Sequence, residues 1–83
     1  DVELFYLRGR DGRELDFLVT AGRKPWFAAE AKLAETRLDR SLLYLRDRLG
    51  IPFTYQVTAE GTRDFVEDGV RVLPAARFLA ALV

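Results

Sequence analysis

The hydrophobic positions of this chain fall mostly into short runs spaced two apart, with one run spaced three and four apart. Val2 to Arg8 is rich in aromatic and aliphatic residues and predicts a strand. Gly9-Arg10-Asp11-Gly12 follows, and Asp-Gly between two apolar runs is a strong hairpin signal. Arg13 to Thr20 is the expected return strand. It puts Leu15, Phe17 and Val19 on one face and Glu14, Asp16 and Leu18 on the other. The residues Ala21-Gly22-Arg23-Lys24-Pro25 predict a second turn.

The next segment, Trp26 to Leu33, supports two readings. The wording Ala-Ala-Glu-Ala-Lys-Leu-Ala-Glu, from Ala28 on to Glu35, is strong helix sequence, and Pro25 stands where a first-turn proline would. Pro25 to Leu49 would then be one helix, with Glu30 and Lys32 about 200° apart around it. Read as a strand, the same segment puts Ala28, Glu30 and Lys32 on one face and Phe27, Ala29, Ala31 and Leu33 on the other.

Two features favour a break. Thr36 suits an N-cap, with Asp39 three residues on as a partial capping box. The helical spacing Leu38, Leu42, Leu45, Leu49 starts only after it. The helix is therefore expected over residues 37–49, closed by Gly50 and barred from continuing by Pro52.

Ile51 to Thr58 predicts another strand, parallel to the central one through a right-handed crossover. Ala59 to Gly69 reads as irregular, with a short helical turn at Thr62–Val66. Val70 to Leu73 predicts a final strand. Pro74 introduces a terminal helix, Ala75 to Leu82, whose Phe78, Leu79 and Leu82 close the sheet edge. The expected class is α/β (α+β): a β-hairpin, a β-α-β unit and a C-terminal helix in one domain, 1–83.

Composition narrows the chemistry. The chain has 83 residues, 49% hydrophobic and 31% charged, as in an ordinary globular domain. No apolar run approaches the roughly 18 residues of a membrane span, and no signal-peptide pattern opens the chain. No methionine occurs, so residue 1 is not a natural start and a piece of a longer protein is expected. Cysteine and histidine are both absent, which excludes disulfides, thiol chemistry, Cys/His zinc sites and histidine-based triads within this chain. A cytoplasmic setting is compatible with that. What remains is carboxylates, lysine, arginine, hydroxyls and a hard cation.

Net charge is zero, and neither half of the chain is markedly basic. Arginine outnumbers lysine eleven to two. Arg8, Arg10, Arg13, Arg23 and Lys24 gather near the two predicted turns, either as solvated turn charges or as a local nucleic-acid patch.

Asp16 stands among Leu, Phe, Leu and Val, where a carboxylate is uncommon unless paired or metal-bound. In the strand reading, two acidic strand positions with a lysine beside them can hold a divalent cation and stabilise an attacking hydroxide. The plainer alternatives are an interior Asp16–Lys32 ion pair, or Glu30 paired with an arginine of the helix.

The order hairpin, strand, helix, strand, with Asp16 and then Glu30-Ala31-Lys32, resembles the PD-(D/E)XK nuclease superfamily. The phrases Leu-Phe-Tyr-Leu-Arg-Gly-Arg-Asp-Gly-Arg-Glu-Leu-Asp-Phe-Leu-Val, Ala-Glu-Ala-Lys and Val-Arg-Val-Leu-Pro-Ala-Ala-Arg-Phe-Leu-Ala are similar to one branch of it. That branch is the C-terminal domain of prokaryotic AAA-type ATPases, a domain family of uncharacterised function.

The resemblance implies a restriction-endonuclease-like mixed sheet, with catalytic Asp16, Glu30 and Lys32. It implies Mg²⁺ or Mn²⁺ held by Asp16, Glu30 and the carbonyl of Ala31, with Glu14 a secondary candidate. Lys32 would meet the attacking water or the scissile phosphate. DNA is the implied substrate, and an ATPase module in cis the implied partner. The alternative is an inactive accessory domain for DNA binding or protein interaction. The pattern departs in three ways: it lacks the acidic first core helix, the Gln-x-x-x-Tyr feature and a strong basic groove. Loss of that helix would leave apolar surface exposed and favour a homo-oligomer.

Overall fold

The computed structural model describes residues 1–8, 15–33 and 37–81. Strands β1 (Val2–Arg8) and β2 (Leu15–Ala21) pair antiparallel, from Val2 opposite Ala21 to Arg8 opposite Leu15. The Gly9–Gly12 turn, Arg13 and Glu14 lie outside the described residues. Gly22 and Arg23 then turn the chain into β3 (Lys24–Lys32) with φ of 59° and 65°. Two successive left-handed residues suit a two-residue hairpin, because their twist matches that of the flanking strands.

The central segment is a strand, although its local propensity favours a helix. β3 lies between β2, antiparallel, and β4 (Phe53–Thr58), parallel. Two neighbours satisfy its backbone on both edges, while Phe27, Ala28, Ala29 and Glu30 are buried. Tertiary pairing overrides the propensity of the alanines, which are small enough to be covered on both faces. The full sheet runs β1-β2-β3-β4-β6-β5.

Helix α1 (Arg40–Leu49) begins later than the expected residue 37. Its N-cap is Asp39, whose Oδ1 accepts the Ser41 N–H at 2.9 Å; Thr36 lies outside the described residues. The physical reason is that the two groups a helix from residue 37 would pair are taken elsewhere: Gln56 Nε2 holds the Arg37 carbonyl, and the extended Asp39 caps the Ser41 N–H. Gly50 closes the helix at φ 64°, with its own N–H and that of Ile51 on the Arg46 carbonyl. The buried stripe is Leu38, Leu42 and Leu43, packed on Val70 and Val72. Leu45 is half-buried and Leu49 is 42% exposed, so the expected Leu45–Leu49 continuation does not reach the core. β4 starts at Phe53 rather than Ile51, because the Ile51 N–H is bound to the helix and Pro52 has none.

The expected helical turn at Thr62–Val66 is replaced in its second half by a strand. β5 (Phe65–Glu67) pairs antiparallel with β6 (Val70–Pro74) across Asp68-Gly69, whose φ values are 49° and 79°. An Asp-Gly pair with both residues left-handed makes the same tight hairpin as Gly22-Arg23. β6 pairs parallel with β4.

Helix α2 (Ala75–Ala81) closes the opposite side from α1. Phe78 packs with Val19, Phe27, Ala29, Val57 and Leu73, its ring centroid 5.2 Å from that of Tyr55. Leu79 is 59% exposed and does not help to close the sheet; Leu82 lies outside the described residues. The architecture is α+β: one mixed six-stranded sheet with a helix on each face.

Candidate functional site

The register sets three residues abreast. Asp16 on β2 lies opposite Glu30 on β3, and Glu30 lies beside Gln56 on β4. Residues paired this way share a sheet face. On that face Glu30 is only 1% exposed, and Gln56 is wholly buried. Ala28 and Lys32 flank Glu30 one pleat away on either side, as the alternation predicts. The side chains of Arg8 and Asp16, together with Arg10, Arg13 and Glu14, lie outside the described part of the structure.

Lys32 reaches back along the strand. Its Nζ is 2.9 Å from Glu30 Oε1 and 2.9 Å from Asp39 Oδ2. Glu30 thus meets Lys32, in place of the helix arginine that the sequence allowed. The Asp39 carboxylate divides its oxygens. Oδ2 takes Lys32, while Oδ1 accepts the Ser41 N–H at 2.9 Å and the Ser41 Oγ–H at 2.7 Å.

The backbone beneath is held by Gln56. Its Oε1 accepts the Asp39 N–H at 2.8 Å, and its Nε2 donates to the Arg37 carbonyl at 3.0 Å. Burial pushes the Asp39 carboxyl up, but hydrogen bonds from Lys32 and Ser41, with one involving Glu30, outweigh it. The group is held well below the usual carboxylate range.

Glu30 and Lys32 lie on one face of β3, as the alternation predicts, and Asp39, expected only as a capping partner, joins them. Gln56 was missed altogether. The available signal was the alternation Thr54, Gln56, Thr58 inside a crossover strand, which sets a polar face under the crossover helix. All three are buried.

The proposed arginine patch is divided. Arg23 and Lys24 sit at one end of β2, while Arg8 lies opposite Leu15 at its other end. A strand of this length separates the two ends by about 20 Å. Among the described residues, no three Asp, Glu, His or Cys side chains converge to hold a metal ion. Nor is any described helix long and apolar enough to cross a membrane.

Residues 1–78 match the family model described as Domain of unknown function (DUF4143). The chain belongs to that family. No curated protein and no solved structure matches it. In this DUF4143 domain the match spans both faces of the sheet, and with them Glu30, Lys32, Asp39 and Gln56.

Proposed function

We propose that this DUF4143 domain is a nuclease-like module of restriction-endonuclease-like fold, a metal-dependent phosphodiesterase acting on DNA and attached in cis to an AAA-type ATPase in the cytoplasm. One observation carries the reading. β3 sets Glu30 in register with Asp16, with the Lys32 ammonium 2.9 Å from the Glu30 carboxylate. A buried acid, a second acid position across the ladder and an adjoining lysine are the groups that such chemistry needs.

The donor set fits a hard cation. Asp16, Glu30 and the Ala31 carbonyl supply only oxygen, and the chain holds no histidine or cysteine. These residues would hold Mg²⁺ or Mn²⁺. Such an ion would lower the pKa of a bound water and offset charge on the phosphoryl oxygens. The chain's own part is to fix Glu30 on a rigid strand paired on both edges and to present one ammonium beside it. Lys32, bonded to Asp39 as well, keeps a positive charge beside Glu30, where it would offset charge on a phosphoryl group.

The test is an NMR titration of the chain with Mn²⁺, with the near-isosteric Glu30→Gln as control. Broadening centred on residues 16 and 30–32 and lost in the variant supports the reading. Diffuse broadening, or broadening indifferent to the substitution, overturns it.

A second reading has its own support. The Lys32 ammonium already lies between two carboxylates, Glu30 and Asp39, and satisfies a charge that burial would otherwise make costly. That is what an inactive accessory domain for DNA binding or protein interaction would keep. Such a domain would hold no Mn²⁺, and Asp16→Asn would leave its DNA or protein affinity unchanged.

A further inference from the structure

The roles proposed for Asp16, Glu30 and Lys32 leave none for Asp39, yet Asp39 is held by several hydrogen bonds. Gln56 fixes its backbone through the N–H, Ser41 takes Oδ1 twice, and Lys32 takes Oδ2. The cap alone accounts for Oδ1. Nothing about capping requires Oδ2 to face a lysine on β3.

The position of Lys32 explains the arrangement. A cation on Glu30 and the Lys32 ammonium would compete for the same carboxylate, since Nζ stands 2.9 Å from Glu30 Oε1. Like charges so close repel strongly in a low-dielectric setting. A second anion in contact with Lys32 would hold it near the site when a cation takes Glu30. Asp39 is placed for that, at the same 2.9 Å distance. Its segment is anchored to the sheet by a glutamine with no exposure to solvent.

We infer that Asp39 is a positioning residue for Lys32: it draws the ammonium partly off Glu30, leaving that carboxylate able to take a divalent cation while the lysine stays beside it. This rests on the metal-binding reading above.

The test uses a substitution that separates the cap from the charge. Asparagine caps helices as well as aspartate does, so Asp39→Asn keeps the Ser41 bonds and removes the anion facing Lys32. Asp39→Ser is the second variant; it still caps but is too short to reach Nζ. The chain holds only two lysines, Lys24 and Lys32, so a ¹³Cε-lysine-labelled sample gives two signals, with exposed Lys24 as internal reference.

At fixed pH, both variants are expected to move the Lys32 signal and leave Lys24 in place. Mn²⁺ affinity, read from water-proton relaxation, is expected to fall about tenfold in each. In a Lys32→Gln background the same substitutions are expected to cost far less, because the residue that Asp39 holds is gone. An unmoved Lys32 signal overturns the inference. So does an equal loss in both backgrounds, which would make Asp39 a plain electrostatic neighbour of the metal. If the unsubstituted chain takes up no Mn²⁺, the metal reading falls; the lysine signals then decide whether Asp39 positions Lys32 at all.

Discussion

Gln56 and Asp39, 17 residues apart, are joined by a 2.8 Å hydrogen bond from the Asp39 N–H to Gln56 Oε1. With the 3.0 Å bond from Gln56 Nε2 to the Arg37 carbonyl, one buried amide fastens the entry of α1 to the middle of β4. Replacing it with leucine keeps the bulk and strands both backbone groups. Gln56→Leu is expected to lower stability by about 1–3 kcal/mol, measured by urea unfolding, with faster amide exchange at residues 39–43. A change within about 0.5 kcal/mol would show that the two bonds are replaced by water without loss.

Acid sensitivity follows from Asp64. Its carboxyl is held down to about 2 by the hydrogen bond from Arg71, which outweighs desolvation, with Arg77 adding to it. A folded-state pKa below the unfolded value of about 3.9 means that the stabilisation is fully present above that value. It is lost as pH falls through the folded-state value, from about pH 4 towards about pH 2. Asp39, also lowered, adds in the same direction. Asp64→Asn should therefore flatten the fall in urea midpoint over that window. An unchanged pH profile would show the Arg71 and Arg77 bonds to be idle in solution.

Arg23 holds φ 65° in the β2–β3 hairpin, where a side chain with Cβ is strained and asparagine is much better tolerated. Arg23→Asn should raise stability by about 1 kcal/mol, which in a domain of this size is about 4–8 °C in Tm. A fall in Tm would show that Arg23 contributes more through its guanidinium than its backbone costs.

Phe78 docks α2 on the sheet through Phe27 and Tyr55, at ring separations of 6.3 and 5.2 Å. α2 is only seven residues long and would not hold its helix without that packing. Phe78→Ala should cost about 3–5 kcal/mol and release α2, seen as lost protection of amides 78–81. Retained protection would show that other contacts dock the helix.

Much of this architecture is legible from residue spacing. The alternation of Glu14–Thr20 and of Trp26–Leu33 places Glu30 and Lys32 on one face once the second segment is known to be a strand. Gly50 and Pro52 mark the end of α1. The Asp68-Gly69 hairpin was also available to inspection, because it carries the same dipeptide as Asp11-Gly12; the polar run before it masked the short β5. These features are local: each depends on the conformational preference of one or two residues, which travels with the sequence.

Three others were decided only in the folded chain. The wording of Trp26–Leu33 favours a helix, and it is a strand because β2 and β4 satisfy both its edges. Helix α1 begins at Arg40 because Gln56, from the far side of the crossover, holds the Arg37 carbonyl while Asp39 caps the Ser41 N–H. Lys32 meets Asp39 as well as Glu30 because the N-terminus of α1 lies over β3. Each depends on a pairing between residues distant in sequence, whose free energy exists only once the sheet has assembled and the polar groups have lost their water. Local propensity carries no record of it.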